Sequence, residues 1–210
     1  MTTSETLQKI LSEDITFVLS EHKKLRSLYA LKEEIRYERV RETPFVTESV
    51  AEHVYGMHCL CDYFLPLDER LANADIAKIR TMIQYHDIDE VKTGDVPNYI
   101  KTVNSSSEQV AVEEVICALP TIMQKKIPVA MREYYAQETI EAKFAKALDK
   151  IEPALQCYDE EMKKVLKENQ ISLAKGMKGK PQYLAEFPAI HHFNNVIANQ
   201  MMKEGYFTLT

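Results

Sequence analysis

Apolar residues recur at three- and four-residue intervals along most of this chain, and alternating apolar–polar runs bounded by turn signals do not occur. Such spacing lays apolar side chains along one stripe of an α-helix, whereas a half-buried strand needs a period of two. The chain therefore reads as all-α. Leu7, Ile10, Leu11, Ile15, Val18 and Leu19 form an amphipathic opening segment beginning at Ser4, which Leu25, Leu28 and Leu31 continue. A polar, irregular stretch over 32–47, interrupted by Pro44, comes next. A helix then starts near Ser49, places His53, Met57, Leu60, Cys61 and Phe64 on one face, and ends at Pro66. Ile76, Ile79, Ile83 and His86 mark another helix, capped by Asn73 or Asp75.

Gly94 and Pro97 impose a turn. Ser105 with Glu108 has the capping-box spacing ahead of Val110, Val112, Val115, Ile116 and Leu119. Pro120 and Pro128 bracket a short amphipathic piece, a long helix is expected over 139–168, and a last one over 181–203. The Gly- and Lys-rich stretch 175–180 reads as a loop, with the helix beyond it packed on the outside. At 210 residues the chain fits one helical domain, with a helical appendage over 181–204, and is long enough to bury a core.

Charge narrows the function. The net charge of −6 and the pI near 5.6 come with no basic stripe, which argues against a long nucleic acid as partner. A small anion stays within reach, because one arginine and one metal ion outweigh a global charge locally. Cys59, Cys61, Cys117 and Cys157 form no CxxC pair and read as reduced thiols of a cytoplasmic protein. The first nine residues lack a signal-peptide pattern, and no apolar run is long enough to span a bilayer.

Four residues carry the chemistry: His53, the adjacent pair His86 and Asp87, and the distant Asp149. Each has a plain structural reading. His53, on an apolar stripe, could be a buried hydrogen-bonded ring. His86 and Asp87 could be an exposed histidine followed by an aspartate opening the next turn. Asp149, which shares a polar strip with Ala145 and Glu152, could be solvated and paired with Lys146 or Lys150. Together, two imidazoles and two carboxylates suffice to hold one divalent ion, with cobalt, manganese, zinc and iron all fitting. The combination points to metal-assisted hydrolysis of a phosphate ester. His58 lies about 140° around the helix from His53 by the 3.6-residue period, so it is expected to be exposed. His22, His191 and His192 lack acidic partners in a suitable pattern and read as structural. Pro153 removes the amide that would bond the Asp149 carbonyl, so a kink there is expected to aim the carboxylate inward.

The blocks Glu48-Ser49-Val50-Ala51-Glu52-His53, His86-Asp87-Ile88-Asp89-Glu90, Gly94-Asp95-Val96-Pro97 and Leu148-Asp149-Lys150 resemble, in this order, the HD-domain metal-dependent phosphohydrolases, and most nearly their 5′-deoxynucleotidase branch. The likeness runs over 31–158 and implies a single HD-domain helical bundle, its core over 31–168, with additional N- and C-terminal helices. It implies that His53, His86, Asp87 and Asp149 bind the metal and that Glu90 and Asp95 serve the attacking water and the proton traffic. Arg36 matches the arginine that grips the substrate phosphate, with Arg39 and Arg41 close by as alternatives. Tyr37 falls where an aromatic residue would face the sugar; the family often carries tryptophan in this region and this chain has none. Lys101 falls in a matching stretch and reads equally well as a solvated lysine. The resemblance further implies a homodimer.

The expected reaction is phosphate release from deoxyribonucleoside 5′-monophosphates. Two other readings use the same site: a phosphodiesterase or hydrolase of larger nucleotides, and a nucleotide-binding sensor that does not turn over. Intact Glu90 and Asp95 weigh against the sensor, since binding alone has no evident need for both. A purely structural helical protein is the remaining alternative, which metal analysis would test.

Overall fold

The structure is a computed structural model that describes residues 3–28, 49–90, 105–118 and 126–208. It is all-α, and among the described residues the only β feature is an isolated bridge between Ser172 and Thr208. The described helices are α1 (Thr3–Leu11), α2 (Ile15–Leu28), α3 (Val50–Phe64), α4 (Ile76–Tyr85), α5 (Ser105–Ala118), α6 (Ile127–Ala136), α7 (Ile140–Gln156), α8 (Glu160–Glu168), α9 (Leu173–Gly176), α10 (Pro181–Leu184) and α11 (Pro188–Lys203). Two compact units emerge from the packing: Met1–Ala72 with Ala147–Thr210, and Asn73–Lys146. No helix among the described residues is long and apolar enough to cross a membrane.

The first unit is built on α1, α2, α3 and α11, with α11 packed against both α1 and α2. Phe64 of α3 and Phe193 of α11 meet edge to face at 5.4 Å, and Tyr63 touches both rings. Phe193 and Ile197 have no exposed surface, so α11 supplies core rather than an outer layer. Ser49 starts α3 through a complete capping box: its hydroxyl accepts from the Glu52 amide while the Glu52 carboxylate accepts from the Ser49 amide. Pro66 lies in the 3₁₀ turn Leu65–Leu67 that closes the same helix, as its missing amide requires.

The second unit rests on α4 against α6, with α5 also on α6. Ile79, Met82 and Ile83 of α4 and Ile127, Met131 and Tyr134 of α6 are buried. Asp75, of the two expected candidates, is the cap of α4 and accepts from the Lys78 amide at 2.9 Å. Pro128 sits in the first turn of α6, where no amide is needed.

Three expected continuous helices are each broken by a local device. The opening helix stops at Leu11; Glu13 takes φ 52°, and Asp14 caps α2 by accepting from the Phe17 amide at 2.9 Å. The expected helix over 139–168 divides into α7 and α8, and Tyr158 in the break meets His22 at 4.8 Å in a tilted contact and Tyr206 edge to face at 5.3 Å. The last helix divides into α10 and α11 because Pro188 begins a new first turn. The expected loop over 175–180 is partly helical, through α9, and turns at Gly179 with φ 73°.

Phe193→Ala removes the ring shared by Phe64 and Tyr63 and should destabilise the protein by about 3–5 kcal/mol, read from urea unfolding followed by circular dichroism. Ser49→Ala should cost about 1 kcal/mol in the same measurement.

Candidate metal centre

The first unit brings His53, Asp149 and Glu152 together. His53 lies in the opening turn of α3, and its amide bonds the Ser49 carbonyl at 3.0 Å. Asp149 and Glu152 are three residues apart in α7 and so share a face of that helix. The Nδ1 of His53 lies 2.9 Å from Glu152 Oε2, and its Nε2 lies 3.7 Å from Asp149 Oδ1. On the far side of the aspartate, Lys150 Nζ is 3.1 Å from Oδ2. The Glu152 side chain has 0% exposure, and those of Asp149 and His53 have 12% and 13%. Asp149 thus keeps the expected lysine neighbour but is buried, not solvated.

This charge arrangement sets the protonation of the His53 ring. Burial pushes the His53 imidazole down, but hydrogen bonds to Asp149 and Glu152 outweigh it and hold the ring well above the usual histidine range. Lys180, at the start of α10, belongs to the same neighbourhood. Burial pushes its ammonium below the usual lysine range, and Lys150 adds to that while Asp149 and Glu152 oppose it.

The second unit holds the adjacent pair. His86 is the residue on which α4 ends, and its Nδ1 donates to the Ile83 carbonyl at 2.9 Å, satisfying one of the orphan acceptors of the helix end. The ring is 2% exposed and meets Tyr134 of α6 at 5.8 Å. Its Nε2 stands 2.9 Å from Asp87 Oδ2. The chain turns here, with the Glu90 amide bonding the Asp87 carbonyl at 3.1 Å, so Asp87 sits on a turn after the helix, and at Glu90 the backbone is helical again. Glu90 is half-buried and Asp89 buried.

Both units present donors suited to a divalent ion. Nitrogen and oxygen ligands of one ion, each about 2.0–2.2 Å from it, stand roughly 3–4 Å apart. The His53–Asp149 separation of 3.7 Å falls in that range. In His86, a ring whose Nδ1–H is committed to Ile83 presents a lone pair at Nε2 when neutral. The Asp87 carboxylate oxygen, 2.9 Å from that nitrogen, is placed so that both could bind one cation. Imidazole nitrogen with carboxylate oxygen suits borderline to hard ions.

Arg36, Tyr37, Asp95 and Lys101 lie outside the described residues. Sequence reasoning named Glu152 only as a neighbour of Asp149 and overlooked its bond to His53; the three-residue spacing was the available signal. Lys180 was lost in the reading of 175–180 as a loop. His58 is half-buried, not exposed. His22 is buried against Tyr158, consistent with a structural role. His192, expected to lack an acidic partner, has its Nδ1 2.9 Å from Glu13 Oε1, a pairing that only the tertiary fold creates.

The HD domain family matches residues 28–191. The 5′-deoxynucleotidase HDDC2 of Xenopus laevis is 31% identical over 121 residues, covering 56% of this chain and 58% of that protein. The Homo sapiens protein of the same name is 30% identical over 117 residues, covering 54% and 55%. The chain thus spans little more than half the length of the relatives it matches. A predicted metal-dependent phosphohydrolase from Magnetospirillum magnetotacticum MS-1 shares the fold, with a TM-score of 0.63, 22% identity, and coverage of 95% of this chain and 96% of that one.

With its ring buried and Nδ1 bonded to a main-chain carbonyl, His86 should keep a slowly exchanging Nδ1–H. Nitrogen-15 labelling of the histidines and exchange spectroscopy check this; a ring proton exchanging as fast as that of a free imidazole would contradict the geometry.

Proposed function

The chain belongs to the HD domain family, and on that premise we propose that it is a cytoplasmic, metal-dependent phosphohydrolase that releases phosphate from deoxyribonucleoside 5′-monophosphates. The observation that carries this reading is the buried His86 ring, with one nitrogen bound to Ile83 and the other 2.9 Å from the Asp87 carboxylate, an arrangement suited to binding one cation. The name 5′-deoxynucleotidase borne by the relatives supports the substrate class. Four cysteines with no CxxC pair among them fit a reducing compartment.

In this proposal His53, His86, Asp87 and Asp149 hold one divalent ion. Such an ion supplies Lewis acidity toward the phosphoryl group and acidifies water near neutral pH. Glu90, helical again after the turn that carries Asp87, accepts a hydrogen bond from the attacking water and orients it. Asp95 passes a proton to the departing 5′-oxygen. Arg36 holds the phosphate through a bidentate, charge-assisted contact, and Tyr37 faces the sugar. Chemistry and binding therefore fall on different residues, and their loss should show differently.

After metal stripping, the protein should release phosphate from a panel of 5′-mononucleotides only when a divalent metal is restored, and Asp149→Ala should abolish release. Arg36→Ala should lower kcat/KM by about 10²-fold or more, on the scale of a lost charge-assisted contact in the transition state. Absence of release with every metal, despite metal binding, would shift the assignment to a sensor or to a phosphodiester substrate. Unchanged kinetics in Arg36→Ala with impaired Arg41→Ala would move the phosphate contact to Arg41.

A further inference from the structure

Glu152 is a carboxylate with 0% side-chain exposure, on a helix whose neighbouring residues Leu148, Ile151 and Leu155 are fully buried and apolar. A buried carboxylate is costly unless it is paired, and an apolar side chain would fill the same place without that cost. What the glutamate supplies is an acceptor 2.9 Å from Nδ1 of His53, while the other nitrogen of that ring faces Asp149 at 3.7 Å. One helix, α7, thus holds the back of the imidazole and stands at its front.

We propose that Glu152 is a positioning residue: it locks His53 with Nδ1–H directed into the carboxylate, so that Nε2 is presented toward the metal beside Asp149. The proposal rests on the reading of His53 as a ligand and adds to it the group that sets the tautomer, the ring angle and the basicity of the ligating nitrogen. His86 has the equivalent support from the Ile83 carbonyl. The two histidines are therefore held differently, one by a neutral main-chain acceptor from its own helix end and one by a buried anion from another helix. Outer partners of this kind change metal affinity by about 10–100-fold when removed.

The test uses the full chain loaded with cobalt. Glu152→Gln preserves the shape of the side chain and removes its charge. Cobalt affinity is read from visible absorption, and the exchangeable ring N–H signals of the two bound histidines from paramagnetic proton NMR. The expected result is a cobalt Kd raised about 10–100-fold, with the His53 ring N–H shifted or exchanging faster and the His86 signal in place. A merely structural glutamate would not move one histidine signal and spare the other. Wild-type affinity together with an unmoved His53 signal overturns the proposal.

His53→Ala separates this failure from that of the metal centre. If His53→Ala loses cobalt while Glu152→Gln behaves as wild type, only the positioning role falls. If wild type binds no cobalt, or His53→Ala binds it as well as wild type, both fall. Should Glu152→Gln fail to fold, Glu152→Asp keeps the charge and withdraws it by one methylene. A weakened Kd with a displaced His53 signal then supports the role, and wild-type values overturn it.

Discussion

A carboxylate removed from water imposes conditions on everything around it, and Glu152 is removed completely. Its charge tolerates that position because an imidazole N–H reaches it from α3, so α3 and α7 are tied by a polar contact that apolar packing alone would not specify. The flanking Leu148, Ile151 and Leu155 give the contact its low-dielectric setting, which strengthens it and penalises any arrangement in which it is broken. Asp149 occupies the same helix face with Lys150 and Lys180 nearby, so opposite charges are concentrated within a short stretch of the first unit. Stability and the proposed chemistry draw on the same few atoms there.

The two histidine–carboxylate pairs depend on different levels of structure. His86 and Asp87 are neighbours in sequence, and the end of α4 sets their geometry: a helix stops, its last carbonyls need donors, and the histidine ring provides one. His53 and Asp149 are 96 residues apart by their numbering, and only the packing of α3 and α7 brings them within 3.7 Å. The local pair is set by the backbone course of a single turn. The distant pair is as exact as the core that separates the two helices.

This difference also explains what the sequence made legible. The helical class, the start of α3 at Ser49, the cap at Asp75 and the place of His86 and Asp87 at a helix end all follow from residues within a few positions of one another. The breaks at Glu13 and Tyr158 escaped notice because apolar periodicity continues across them, while the residues that cause them act through a cap at Asp14 and through ring contacts with His22 and Tyr206. The Glu13–His192 pair and the Glu152–His53 bond escaped for a related reason. Each joins groups far apart in the chain, and an acidic residue in an amphipathic helix gives no sign of whether it faces water or an imidazole. Where a carboxylate lies three residues from a candidate ligand, the shared helix face is the hint that spacing alone can offer.

The capping box at Ser49 does more than begin a helix. His53 follows it by one turn, and the amide of His53 makes its bond back to the capping residue itself. Ser49 therefore sets the angular phase of α3, the zero from which the direction of the imidazole is measured. Since each helical residue advances that phase by about 100°, one residue gained or lost between Ser49 and His53 would swing the ring away from both carboxylates while leaving the composition of the helix nearly unchanged. A change of length on the other side of Ser49 leaves the phase as it is. In the history of such a chain, insertions and deletions should be filtered at these few positions more severely than substitutions are.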